Sequence, residues 1–263
     1  MSFVIIKMEQ MRAFYVTLPS NSSMNIFPSN TLTNYVTQLP NSIYLDGEWE
    51  VGLAEIQYPY TWNNIREGYN KIYIKTWNEH DYTPVVIPSG YYKDINNLIY
   101  NIRQLIGATG KFRDNDVDLR YVPTDKRTSV YVKSGCHVKL DGDIATVLGF
   151  ETGTVVNNTL LTSPFLSLVT GNVSSLFIYS DIIQSQYVGD VKVPLLRAVG
   201  VEGKHGDFIT KSFDRPQYLP VCRQTLDTVE IDIKGDTAEK ISFQHGKVIV
   251  KLHFRKQRPV YFS

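Results

Sequence analysis

Short runs in which apolar and polar residues alternate, each closed by Pro, Gly or Asn, dominate this chain and predict strands. Ala13 to Leu18 reads as extended and stops at Pro19. Leu32 to Leu39 sets Thr33, Tyr35 and Thr37 against Leu32, Asn34, Val36 and Gln38 before Pro40. In the run from Trp49 to Tyr58, the residues Trp49, Val51 and Leu53 share one parity, and Ala54, Ile56 and Tyr58 the other. That switch of face predicts a β-bulge within one strand. Lys71 to Trp77 adds another strand. Ser175 to Ile183 is almost continuously apolar, as for a strand buried on both faces or at an interface, and Val191 to Val201 and Asp207 to Phe213 are weaker candidates. The last pair is regular. Val229, Ile231 and Ile233 alternate with Glu230, Asp232 and Lys234, then Val248, Val250, Leu252 and Phe254 with Ile249, Lys251, His253 and Arg255. One apolar and one polar face at period two is the pattern of an antiparallel sheet lying on a core.

The middle departs from that style. Asp94 is placed to cap a helix whose apolar positions Ile95, Leu98, Ile99, Ile102, Leu105 and Ile106 draw one stripe, with Gly107 as its stop. A hairpin follows, Val117 to Val122 and Thr128 to Val132, turned at Pro123-Thr124-Asp125, and then a helical turn from Ile144 to Leu148 halted by Gly149. Outside the middle there are about eight strands plus an N-terminal extra, the number a jelly roll needs. The expected fold is therefore all-β: a single jelly roll of two packed antiparallel sheets over residues 1–77 and 166–263, interrupted by a small α+β insertion over 78–165.

Composition narrows the function. Hydrophobic residues make up 43% of the 263 and charged residues 20%, enough to bury a core and too ordered in pattern for a disordered chain. Lys and Arg number 27 against 26 Asp and Glu, so the basic excess of a phosphate-binding protein is missing and no specific nucleic-acid partner is expected. Seventeen Tyr suit sheets and protein interfaces. Cys136 and Cys222 are expected as free, buried thiols. Phe3 to Ile6 before Lys7 is too short for a signal-peptide core or a membrane span, so a protein made inside the cell and not secreted is expected. The acceptor triplets at Asn21, Asn157 and Asn172 are then chance matches.

Candidate chemistry is thin. Asp114, Asp116, Asp118 and Asp125 imitate a calcium loop, but Leu119 stands where the sharp turn needs Gly. His80, His137, His205, His245 and His253 share no close ligand spacing, and no nucleophile elbow, Walker loop or dinucleotide fingerprint occurs. No cofactor, metal or catalytic residue is expected, and the chain reads as a non-enzyme. Two rivals stay open: a β-sandwich carbohydrate-binding module using exposed Trp and Tyr, and a jelly-roll enzyme with scattered carboxylates.

Several segments resemble a known family in their order along the chain. Phe14-Tyr15-Val16-Thr17-Leu18-Pro19-Ser20-Asn21-Ser22-Ser23, Leu45-Asp46-Gly47-Glu48-Trp49-Glu50-Val51-Gly52-Leu53, Gly90-Tyr91-Tyr92 with the helix behind it, and Val147-Leu148-Gly149-Phe150 form the first half of the match. Leu176 to Asp181, Val188-Gly189-Asp190, Pro194-Leu195-Leu196, Gly246-Lys247-Val248 and Leu252 to Arg255 continue it. Together they resemble the penton, or minor capsid, proteins of Polinton (Maverick) and adintovirus-like elements, related to virophage and adenovirus pentons. The resemblance implies a homopentamer at the five-fold vertices of an icosahedral double-stranded DNA virion, beside a double-jelly-roll major capsid protein. No Arg-Gly-Asp triplet occurs, so the integrin route of adenovirus is not implied. A five-fold ring needs two different patches per subunit. Tyr58, Tyr60, Trp62 and Ile249, apolar groups without an evident core partner, are the expected lateral contacts. Arg12, Arg255, Lys256 and Arg258 are the expected grips on neighbouring capsomers.

Overall fold

The computed structural model describes residues 6–7, 12–113, 115–169 and 173–257. The chain divides into two compact units, one of residues 1–62 with 173–263 and the other of residues 63–172.

The first unit is a jelly roll. Its strands are β1 (Ala13–Pro19), β2 (Asn34–Tyr44) and β3 (Trp49–Pro59), followed after the insertion by five more. The inserted unit contributes β4 (Lys71–Thr76), β5 (Thr83–Val86), α1 (Ile95–Ala108), β6 (Val117–Val122), β7 (Arg127–Leu140), α2 (Gly142–Val147) and β8 (Val155–Thr162). The first unit then resumes with β9 (Ser175–Ser180), β10 (Leu195–Gly200), β11 (Phe208–Ser212), β12 (Thr225–Lys234) and β13 (Ile249–Lys256). One sheet runs β11-β3-β13-β1 and the other β2-β12-β9-β10. The unit's first strand thus pairs with its last, its second with its seventh, its third with its sixth and its fourth with its fifth, all antiparallel. That order is a long hairpin wrapped around itself, the double Greek key of a jelly roll. Ile6–Lys7 adds a parallel segment beside Ile43 and Tyr44, and Leu219–Pro220 pairs with β3.

The alternation read in the sequence sets which faces meet. Val250, Leu252 and Phe254 of β13 are fully buried, as are Val229, Ile231 and Ile233 of β12 and Leu176 and Ile178 of β9. They belong to one core shared by both sheets. Each such side chain contributes about 1.5–3 kcal/mol on leaving water. Tyr35 reaches across the same core and donates its hydroxyl to the Leu18 carbonyl at 3.1 Å, which is why so large a polar group can be buried. In β3 the register against β13 slips between Lys251, opposite Glu55, and Leu252, opposite Leu53, leaving Ala54 as the extra residue. This is the bulge the parity switch predicts.

The second unit is an α+β layer. Its sheet runs β5-β4-β7-β6, with β8 on β7. Ile72, Ile74, Val138, Leu140 and Val156 of the sheet share a core with Ile95, Leu98, Ile99, Ile102 and Ile106 of α1. Asp94 caps α1 by accepting from the Asn97 amide at 2.8 Å. The helix runs through Gly107. Thr109 caps its end by donating its hydroxyl to the Ile106 carbonyl at 2.6 Å, and Gly110, at φ +66°, turns the chain away.

The unit boundaries differ from the expected 78 and 165. β4, read as part of the jelly roll, pairs antiparallel with β7 and β5 of the second unit. A six-residue amphipathic strand fits either sheet, and its partner is a long-range choice that periodicity does not encode.

Candidate interaction surfaces

The outward face of the β11-β3-β13-β1 sheet carries an aromatic and cationic ladder. Outward residues of β13 alternate with its core residues, so Ile249, Lys251, His253 and Arg255 stand on one side. The Tyr15 ring of β1, 60% exposed, stacks on His253 with centroids 4.5 Å apart. The Tyr218 hydroxyl shares a hydrogen bond with His253 Nδ1 at 2.6 Å, its ring edge-on to the imidazole. The Arg255 guanidinium lies 3.5 Å over the Tyr218 ring and pairs through Nε with Glu50 at 2.5 Å. Lys251 Nζ sits 5.1 Å from the centre of the Tyr15 ring. Burial, and next the Arg255 charge, push the His253 pKa down from its ordinary value. The shift favours the neutral imidazole, which stacks on Tyr15 and shares a hydrogen bond with Tyr218.

The outer face of the other sheet differs in kind. Asn34 Nδ2 donates to Glu230 at 3.0 Å, Lys234 lies 3.5 Å from Asp232, and Asp181 meets Arg223 at 2.9 Å while accepting from the Glu230 amide at 2.8 Å. Burial raises the Asp181 pKa in spite of those partners. Most of these groups find partners within the chain, while Asp232 Oδ1 is buried without a hydrogen-bond partner.

The expected site residues separate into three groups. Tyr58, Tyr60 and Trp62 are buried at 0%, 6% and 2% exposure, and this corrects the expectation that they lack core partners. Tyr60 and Trp62 stack at 4.2 Å, Tyr58 and Trp62 at 6.4 Å, and Phe243 meets Trp62 edge-on at 5.6 Å. The sequence carried the signal: past the bulge, Ile56, Tyr58, Tyr60 and Trp62 continue one inward parity. Side chains enclosed in their own subunit offer no surface to a neighbour. Ile249 is half-buried on the outward ladder, and Arg12, Arg255 and Lys256 are exposed. Arg12 and Lys256 come together through the Lys256 amide, which donates to the Arg12 carbonyl at 3.0 Å, and Lys256 Nζ lies 3.6 Å from Asp46. Arg258 lies outside the described residues, as does Asp114 of the acidic run. Sequence reading missed Tyr15 and Tyr218, whose roles appear only once β1 and Leu219–Pro220 are paired into the sheet.

The other polar candidates are engaged locally. Asp116 pairs with Lys133 at 3.2 Å and accepts from the Arg113 amide at 2.8 Å, and Asp118 pairs with Arg120 at 2.5 Å and with Arg103. Cys136 is buried as expected, whereas Cys222 is exposed, because it sits in a surface turn where its amide donates to the Ile182 carbonyl. Among the described residues no three His, Cys, Asp or Glu side chains converge, and no helix is long and apolar enough to cross a membrane.

No family model and no curated protein matches the sequence. Among solved structures the chain is similar to the selenomethionine-labelled penton protein of mavirus, at 12% identity and a TM-score of 0.49, over 93% of this chain and 99% of that one.

Proposed function

We propose that this chain is a non-enzymatic capsid subunit of the penton type. It assembles as a homopentamer at the five-fold vertices of an icosahedral double-stranded DNA virion, next to a double-jelly-roll major capsid protein. The observation that carries the reading is the strand order: an eight-stranded jelly roll with a complete α+β unit spliced between its third and fourth strands. The ordered resemblance from about Ala13 to Arg255 points the same way.

In this reading the jelly roll is the shell-forming part, and the inserted unit carries functions of its own. A closed ring joins two unlike patches of each subunit. The ladder of Ile249, Lys251, Tyr15 and Arg255 supplies one, with Tyr15 and Arg255 exposed and Ile249 and Lys251 half-buried, and with aromatic and cationic groups of the kind that dominate interface energetics. The exposed Arg12 and Lys256 are the proposed grip on a neighbouring capsomer.

Sedimentation and negative-stain microscopy of the purified chain, alone and mixed with its major capsid protein, test the proposal. Five-fold rings in either condition support it, and a strict monomer in both overturns it.

A further inference from the structure

The second unit has an open sheet face. α1 covers the side lined by Ile72, Ile74, Val138 and Leu140, so the alternate residues of β4 and β7 point the opposite way. Across the β4–β7 pair, Tyr73 faces Lys139 and Lys75 faces His137, and the next step brings Trp77 to Gly135, where the Trp77 amide donates to the Gly135 carbonyl at 2.8 Å. On β8, Asn157 lies opposite His137, and the two side chains approach to 3.4 Å. Tyr73, Lys75 and Trp77 are spaced by two residues each, a row about 13 Å long.

Three features define what this face can hold. Trp77 is 76% exposed, whereas Trp49 and Trp62 are buried. The edge of the indole lies over the backbone at Gly135. A side chain at Gly135, where φ is +86°, would come within 3.2 Å of its Cδ1, so the bulged backbone there makes a floor for the ring. The loop that carries it is braced, because Glu79 accepts from the Thr76 amide at 2.7 Å and pairs with Lys111, which donates to Thr83 at 2.6 Å. Second, Lys75 and Lys139 pair with no carboxylate among the described residues; their ammonium groups lie 4.8 Å and 5.4 Å over the rings of Tyr82 and Tyr73. Third, those two phenol rings are thereby capped, leaving Trp77 as the open aromatic platform of the row.

We propose that this face binds an acidic glycan. One pyranose ring stacks its C–H face on Trp77 with its carboxylate or sulfate held by Lys75, the next outward residue, while Lys139, opposite Tyr73 at the far end of the row, takes a polar or anionic group of the neighbouring sugar, and His137 and Asn157 bond hydroxyls between them. The unpaired lysines select an anion. Trp77 is the open ring beside the lysines, and Tyr131, exposed on the same face of β7, lies four residues from Gly135. One ring suits one sugar, whereas a single-stranded nucleic acid needs successive platforms for successive bases. The proposal stands apart from the capsid reading, since it concerns the inserted unit alone.

The test uses the full chain with four probes: 3′-sialyllactose, a heparin-derived hexasaccharide, neutral lactose and an oligothymidylate. With the other two indoles buried, acrylamide quenching of tryptophan fluorescence reports on Trp77, and calorimetry gives the affinity. At least one acidic sugar should shield Trp77 while lactose does not, and which one binds tells sialylated from sulfated ligands. Lys75→Ala and Lys139→Ala should each weaken binding by about tenfold, the loss of one charged hydrogen bond. Trp77→Ala should abolish binding and Trp77→Phe retain part of it, with unchanged circular dichroism as the control for folding. The proposal is overturned if neither acidic sugar binds at about 10 mM, if lactose binds equally well, if binding survives the substitutions, or if only the oligothymidylate binds.

Discussion

Tyr15 and His253 face each other ring to ring across the β1–β13 pair, 4.5 Å apart with 28° between their planes. This contact takes part of the imidazole surface out of water, and its consequence is measurable. The His253 pKa is lowered first by burial and then by Arg255. As pH falls past about 6.5 the unfolded chain takes up a proton that folded His253 resists, so the site's stability is full above that pH. It is lost progressively toward the folded pKa. An NMR titration should place His253 below 6.5, and Tyr15→Ala, by rehydrating the ring, should move it back up. A wild-type value at or above 6.5 would remove the basis of this account.

On the other side of the same strand, Phe254 is fully buried and stacks on Phe14 at 4.8 Å with 1° between the planes. Truncation leaves a cavity that two sheets already held by their ladders cannot close. Phe254→Ala should cost about 3–5 kcal/mol in a denaturant titration. A loss comparable to that of an exposed-site substitution would mean that the two sheets do not share this core.

How much of this was written in the sequence depends on whether a feature is local. The last two strands, the capped helix and the Ala54 bulge were legible because side-chain parity and capping are properties of neighbouring residues. The pairing of β4 with β7 was not, because Lys71 to Thr76 alternates equally well for either sheet. Tyr58, Tyr60 and Trp62 were misread because aromatic size and polarity suggest interfaces. Their continued parity from Ile56 was the better guide. The Tyr15, His253 and Tyr218 cluster joins three segments distant in sequence, and no local pattern announces it.

Two glycines of the second unit separate conformational strain from collision. Gly149 and Gly68 both sit at φ +84°, but a side chain at Gly149 would meet the Phe165 carbonyl oxygen at 2.4 Å while at Gly68 it would meet nothing within 4 Å. Gly68→Ala should cost only the left-handed penalty of about 1–2 kcal/mol. Gly149→Ala should cost clearly more, since the Phe165 amide also donates to the Gly149 carbonyl at 3.1 Å and the backbones cannot part freely. Equal losses in parallel urea titrations would contradict the close approach.

Asp143 is buried at the start of α2 and holds residue 66 twice: it accepts from the Arg66 amide at 2.8 Å and from its guanidinium at 2.8 and 2.9 Å. Arg66 is partly exposed, so water can replace some of what its side chain loses. The amide is less easily resolvated. Asp143→Ala should therefore destabilise the second unit by about 2–4 kcal/mol, near the lower end for a broken buried pair. Hydrogen exchange should show the change as faster exchange along β4 and α2, with the jelly-roll strands unaffected.

A final pair of substitutions separates assembly from folding. Ile249 is half-buried on the outward face of β13, opposite Gln57 and Pro19, so a charge there meets solvent in the isolated subunit. Tyr58, by contrast, is fully enclosed in the core. Ile249→Lys should leave the unfolding midpoint within about 0.5 kcal/mol of wild type, as for other surface changes. If the outward ladder is a ring contact, the same charge is repeated in every interface, and the proposed pentamer should fall to monomers in sedimentation. Tyr58→Ala should do the reverse, costing about 3–5 kcal/mol of stability and affecting assembly only through unfolding. Rings that survive Ile249→Lys at wild-type abundance would move the lateral contact off this face, and the polar outer face of β12 and β9 would be the next surface to substitute.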